Sequence, residues 1–152
     1  MLNKSLTASE VCAAADCPPS TLRAWRNRNG LFADDLTGEG WTRFDFAQAI
    51  GVRITVLLTQ RGFAAQQAVD LVNGMRDTLT KAARGYPPLL GIARKGDTET
   101  LEFRKLEDMG RVADNLRWFT DPVVIVLNLN AISLEVLFAI REQRALGERG
   151  AD

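Results

Sequence analysis

Arg23, Arg26 and Arg28, with Asn27 and Asn29 set among them, are the residues of this chain whose types and spacing best suit chemistry. A guanidinium pairs with phosphate or with the edge of guanine, and a carboxamide pairs with adenine. All five fall in the stretch Pro18 to Phe32, PPSTLRAWRNRNGLF, which holds three Arg and no acidic residue. The stretch reads as a short helix. Pro19 fits its first turn, where a missing N–H costs nothing, and Gly30 fits a left-handed turn that stops it. Leu22 and Trp25, three residues apart, share one face as inward anchors. The basic and amide side chains then cover much of the remainder, which is chemistry for nucleic acid.

Other chemistries have less to work with. There is no His, so the commonest general base near neutral pH and the commonest metal ligand are both missing. The two cysteines, Cys12 and Cys17, are too few for a disulfide framework and read as small buried apolar residues. A zinc site would need more ligands than these thiols and Asp16 supply. Asp34 and Asp35 form a carboxylate pair inside a glycine-containing loop, with no partner of catalytic type nearby, and read as solvated turn residues. The chain is therefore read as a non-enzyme with no cofactor and no metal.

Lys plus Arg and Asp plus Glu number 19 each, so the formal charge is zero and any nucleic-acid surface must be local. At 152 residues, with 46% apolar and 25% charged residues, the chain has the makings of a globular protein with a real core. Its apolar runs, such as Val123 to Leu127, are far too short to span a bilayer. No signal peptide is apparent, so a cytoplasmic, nucleoid-associated location is expected.

The elements that must hold the basic stretch follow from local signals. Thr7 and Glu10 have the spacing of a capping box and open a helix from Ala8 to about Ala15. Asp16-Cys17-Pro18 breaks it, so two short helices meet across a tight turn, the second one basic: a helix-turn-helix pattern. Residues 33–40 are loop. Trp41 to Phe44 alternates as a short strand would. Asp45 and Gln48 form a second capping box, opening a helix from Phe46 to Arg61 that Gly62 closes. One further helix is expected through Ala68, Leu71, Val72, Met75 and Leu79, ending before the Pro87-Pro88 pair.

The runs TLRAWRNRNGLF and GWTRFD, followed by a helix closing in RGF, resemble the N-terminal DNA-binding domain of the MerR superfamily over residues 5 to 73. Thr21, Leu22, Arg23 and Trp25 match the start of its recognition helix, and Gly30 and Leu31 match its end. Gly40, Trp41 and Phe44 match its wing, Asp45 its cap, and Leu58, Gly62 and Phe63 the next helix. Ala24 stands where the family has its first aromatic residue, and Thr42 where it has the wing arginine. The resemblance implies a winged helix-turn-helix, although Arg23 to Gly30 is one residue longer than the family's helix. In that setting the basic helix and the wing make Thr21, Arg23, Arg26, Asn27, Arg28, Thr42 and Arg43 the expected DNA-binding residues. The family's long dimerisation helix has no counterpart, since Pro87 and Pro88 intervene.

Beyond Pro88 the pattern changes. Leu89–Arg94 and Thr100–Leu106 read as strands joined by a turn at Lys95-Gly96-Asp97-Thr98. Glu107 to Phe119 has helical spacing, Val123 to Leu129 suits a strand covered on both faces, and a last helix, capped by Asn130 or Ser133, is apolar on nearly every side from Leu134 to Ile140. The expected fold is mainly α: a MerR-like winged helix-turn-helix at 1–85, then a small α/β domain at 86–152 with about three strands and a terminal helix. The function that follows is a sequence-specific regulator of bacterial or phage type that binds double-stranded DNA and dimerises through residues 86–152. Two alternatives use the same domain: a phage-type architecture or packaging factor, such as an excisionase or small terminase subunit, and a regulator that senses a small-molecule effector with its C-terminal half.

Overall fold

In a computed structural model the described residues are 5–35, 43–106 and 112–150. Helix α1 (Ala8–Ala15) begins in the expected capping box, with Thr7 Oγ1 accepting from the Glu10 amide at 3.1 Å and Glu10 Oε2 accepting from the Thr7 amide at 2.7 Å. Asp16 adopts φ 54°, a left-handed cap that turns the chain into α2 (Pro19–Arg28). A single turn of 3-10 helix follows at Ala33–Asp35. The expected strand reduces, among the described residues, to one antiparallel bridge between Phe44 and Leu6; Gly40, Trp41 and Thr42 lie outside them.

Helix α3 (Phe46–Gln60) starts at the Asp45–Gln48 capping box and is the central rod of the molecule. Ala49, Ile50, Val52, Ile54, Val56 and Leu58 are all buried along it. The helix expected beyond Gly62 is two helices, α4 (Ala65–Gly74) and α5 (Arg76–Ala83), broken at Met75. Asn73 and Gly74 are poor helix formers, and the break lets Val72, Met75 and Leu79 all reach the core against α3.

The C-terminal region is mixed α/β. Strands β1 (Leu89–Arg94) and β2 (Leu101–Leu106) form an antiparallel hairpin, Leu89 opposite Leu106 and Arg94 opposite Leu101. Strand β3 (Ile125–Asn128) pairs antiparallel with β1 on its other side, giving the order β2-β1-β3. The helix expected from Glu107 is the short α6 (Val112–Leu116), with residues 107–111 outside the described set. Phe119, beyond α6, packs close on Gly91: a Cβ on that glycine would stand 3.0 Å from the ring.

Two expectations for the C-terminal end are corrected. Strand β3 is not covered on both faces: it is an edge strand, and Val126 is 51% exposed. Helix α7 runs Leu129–Arg149 and is capped by Asn128, whose Oδ1 accepts from the Ala131 amide at 3.1 Å, so neither Asn130 nor Ser133 is the cap. The strand ends where this short polar side chain can satisfy an orphan N–H, and the helix starts at once.

Helix α7 packs mainly on α1 and α3 rather than across the strands. Its Leu129, Ile132, Val136 and Ile140 join Val11, Ile50 and Leu58 in one apolar core, which also takes in Leu90 and Ile92 of β1. At the surface, Arg144 Nε meets Glu10 Oε1 at 2.9 Å and Arg53 Nε meets Glu135 Oε2 at 3.6 Å, fastening α7 to α1 and α3.

Candidate nucleic-acid interface

The turn between α1 and α2 is set by backbone chemistry. The Cys17 amide donates to the Cys12 carbonyl at 2.8 Å, and Pro18 and Pro19 start α2 without wasting a donor. Leu22 and Trp25 are buried and root the helix in the common core, where α2 meets α1 and α4. On the other faces Arg23, Asn27 and Arg28 are exposed, Thr21 is half-buried, and no acidic residue lies in the helix. Arg26 and Arg28 sit in the last turn, where positive charge is favoured by the helix dipole.

Arg26 is placed differently from its neighbours. It is half-buried, and its guanidinium lies over the Phe44 ring, 5.3 Å from the centroid. Burial lowers its pKa from the ordinary arginine value, though not enough to discharge a group of such basicity. Arg43, next to Phe44, is exposed, while Thr42 lies outside the described residues.

The end of α2 is pinned by two side chains that local sequence patterns do not reveal. Gln66 Oε1 of α4 accepts from the Asn29 side-chain Nδ2 at 2.9 Å, and Gln66 Nε2 donates to the Asn29 backbone carbonyl at 3.1 Å. Asn73, also on α4, donates to the Gly30 carbonyl at 3.0 Å and accepts from the Phe32 amide at 2.9 Å. Gly30 and Phe32 both have positive φ, 75° and 57°. Phe32, a bulky residue in a conformation that is costly for it, is held there by Asn73 and by burial of its ring. Gln66 and Asn73 are seven apart, two turns along one helical face, which is the only trace of this clamp in the sequence.

Cys12 and Cys17 are free and buried. Burial, with smaller contributions from Cys12 and Asp16, pushes the Cys17 thiol up to about 12, the opposite of what a reactive thiolate requires. Asp34 is exposed and borders a cavity of about 110 Å³, together with Asp45, Asn73, Arg76 and Thr80. Among the described residues no group of three or more His, Cys, Asp or Glu is placed to hold a metal ion. None of their helices is long and apolar enough to cross a membrane.

Two short helices across a tight turn, with an apolar root and an unbroken basic outer face, are followed by a bridge and two helices that lock the second helix in place. Over that span, residues 6–74, the chain matches the family model described as MerR HTH family regulatory protein. Residues 6–74 are a MerR-like helix-turn-helix domain. No curated protein matches the chain. The remainder of the protein, α5 and the mixed α/β region, lies beyond the matched span.

Proposed function

We propose that this protein is a transcriptional regulator of bacterial or phage type that binds double-stranded DNA sequence-specifically and acts as a dimer. In this reading α2 enters the major groove, where Arg23, Asn27 and Arg28 meet base edges or the groove walls. Arg26 reaches the backbone from its seat on Phe44, and Thr21, Thr42 and Arg43 grip flanking phosphates. Residues 86–152 assemble the subunits, so that two recognition helices meet two half-sites. One module with so few cationic contacts binds weakly alone, and doubling it supplies both affinity and a symmetric target.

The observation that supports this most strongly is the division of α2. Leu22 and Trp25 are buried, while Arg23, Asn27 and Arg28 stand in solvent with no acidic neighbour on the helix. The experiment is selection of bound duplexes from a random pool by the full-length chain. An enriched, two-fold-related motif is the expected result. Recovery of DNA with no sequence in common would contradict the regulator reading and favour an architectural role.

A further inference from the structure

Four of the large apolar side chains left exposed, Val123, Val126, Leu134 and Phe138, lie beside or on β3 and on α7. Among the described residues β3 pairs only with β1, so one of its edges is open there. A groove of about 230 Å³ is lined by Ile125, Val126, Leu127 and Asn128, with Leu57 of α3 and Ala131 of α7 as walls. Successive strand residues point to opposite faces. A groove that touches four in a row therefore runs along the open edge itself. The edge is short, four residues, but residues 123–129 (VVIVLNL) contain neither charge nor proline, two of the devices that keep an open edge from pairing.

A second feature starts in the same groove. Ala131, Leu134, Phe138, Arg141 and Ala145 follow the alternating three- and four-residue spacing of a helix seam. Leu134 is 42% and Phe138 59% exposed, while Val136 and Ile140 on the opposite side of α7 are buried. The strand edge and the helix stripe thus form one continuous unpartnered surface. Its rim carries both signs of charge: Arg53 and Glu135, 3.6 Å apart, and Arg61. A peptide of one sign would meet like charge there, whereas a copy of the same surface brings both signs in turn. Antiparallel pairing about a two-fold axis needs only the same edge presented twice.

We propose that two copies of this chain pair β3 edge to edge, antiparallel, joining their two sheets into one, with the outer stripes of α7 packed alongside. This names the surface for the dimer of the proposed function and rests on that reading. In this arrangement the open N–H and C=O groups of β3 are satisfied by their own counterparts. The exposed valines and Phe138 leave water together.

The test is light scattering on the full-length protein across a dilution series, with amide hydrogen exchange measured above and below the dissociation range. The expected result is a dimer in which the amides of residues 123–129 gain protection on association, and which Val126→Lys shifts toward monomer while circular dichroism stays native. Like charges brought opposite each other across a strand pair disfavour it. A dimer whose formation leaves exchange at 123–129 unchanged would overturn this interface and leave the dimeric regulator standing. A wild-type protein that stays monomeric at every concentration would overturn both.

Discussion

The guanidinium of Arg26 lies 5.3 Å from the centre of the Phe44 ring, and Phe44 in turn pairs its backbone with Leu6. One arginine of the basic helix is therefore also a strut, joining α2 to the chain that leads into α3. We expect Arg26→Ala to lower stability by about 0.5–2 kcal/mol, the range for a partly desolvated cation–π contact, whereas Arg23→Ala leaves stability unchanged. Urea unfolding of the two variants checks this. Equal midpoints would show that the Arg26–Phe44 contact contributes nothing.

Trp25 is 7% exposed and shares the inward face of α2 with Leu22. Replacing it with Ala empties a large volume at the root of the helix, so Trp25→Ala should cost roughly 3–5 kcal/mol. Thermal unfolding with the DNA-binding assay run in parallel separates the possibilities. A variant that melts like wild type and has lost DNA binding would make Trp25 a contact residue instead.

Gly51 sits mid-helix in α3, where an added Cβ would stand 2.9 Å from Val72 Cγ1, 3.1 Å from the Phe32 ring and 3.2 Å from Leu79. The intrinsic preference of a helix for Ala would make Gly51→Ala stabilising, but overpacking a close contact costs about 1–3 kcal/mol. The crowding should win. An increase in the unfolding temperature of Gly51→Ala would mean that α4 and α5 can move aside freely.

Glu10 joins the first helix to the last. Burial opposes its charge, yet the Thr7 amide and Arg144 outweigh burial and hold the carboxyl below the usual value of 4.5. A carboxyl whose folded pKa is depressed contributes its stability above the unfolded pKa and loses it as pH falls through the folded one. Glu10→Gln should therefore lower stability at neutral pH by about 1 kcal/mol or less, the contribution of a half-exposed pair, and flatten the fall below pH 4.5. Unfolding curves at neutral and acidic pH read both effects. An unchanged acid limb in the variant would show that the Glu10 charge contributes no stability.

What was legible in the sequence was local. Both capping boxes, the proline start of α2, the left-handed Gly30 and the burial of Leu22 and Trp25 each depend on residues within a few positions of one another, and all are present as expected. Contacts distant in sequence were not legible. The clamp of Gln66 and Asn73 on the end of α2, the seat of Arg26 on Phe44, and the return of α7 to α1 depend on which faces meet after folding. The break at Met75 was legible only in part: Asn73 and Gly74 disfavour helix there, but the helical periodicity continues across it, and the packing of α4 and α5 on α3 depends on the folded chain. Likewise β3 reads as a fully buried strand because residues 123–127 are uniformly apolar, and only the order β2-β1-β3 puts it at an edge.

The most direct test of DNA recognition by α2 is fluorescence anisotropy on a selected duplex, comparing wild type with Arg23→Ala and Arg28→Ala over a range of salt concentrations. Both side chains are exposed. Loss of a bidentate base contact should weaken binding to the selected duplex by about 1–3 kcal/mol. Loss of a phosphate contact should weaken binding to all sequences and reduce the salt slope by about 1. If both variants, natively folded by circular dichroism, bind the selected duplex as wild type does, α2 is not the reading helix.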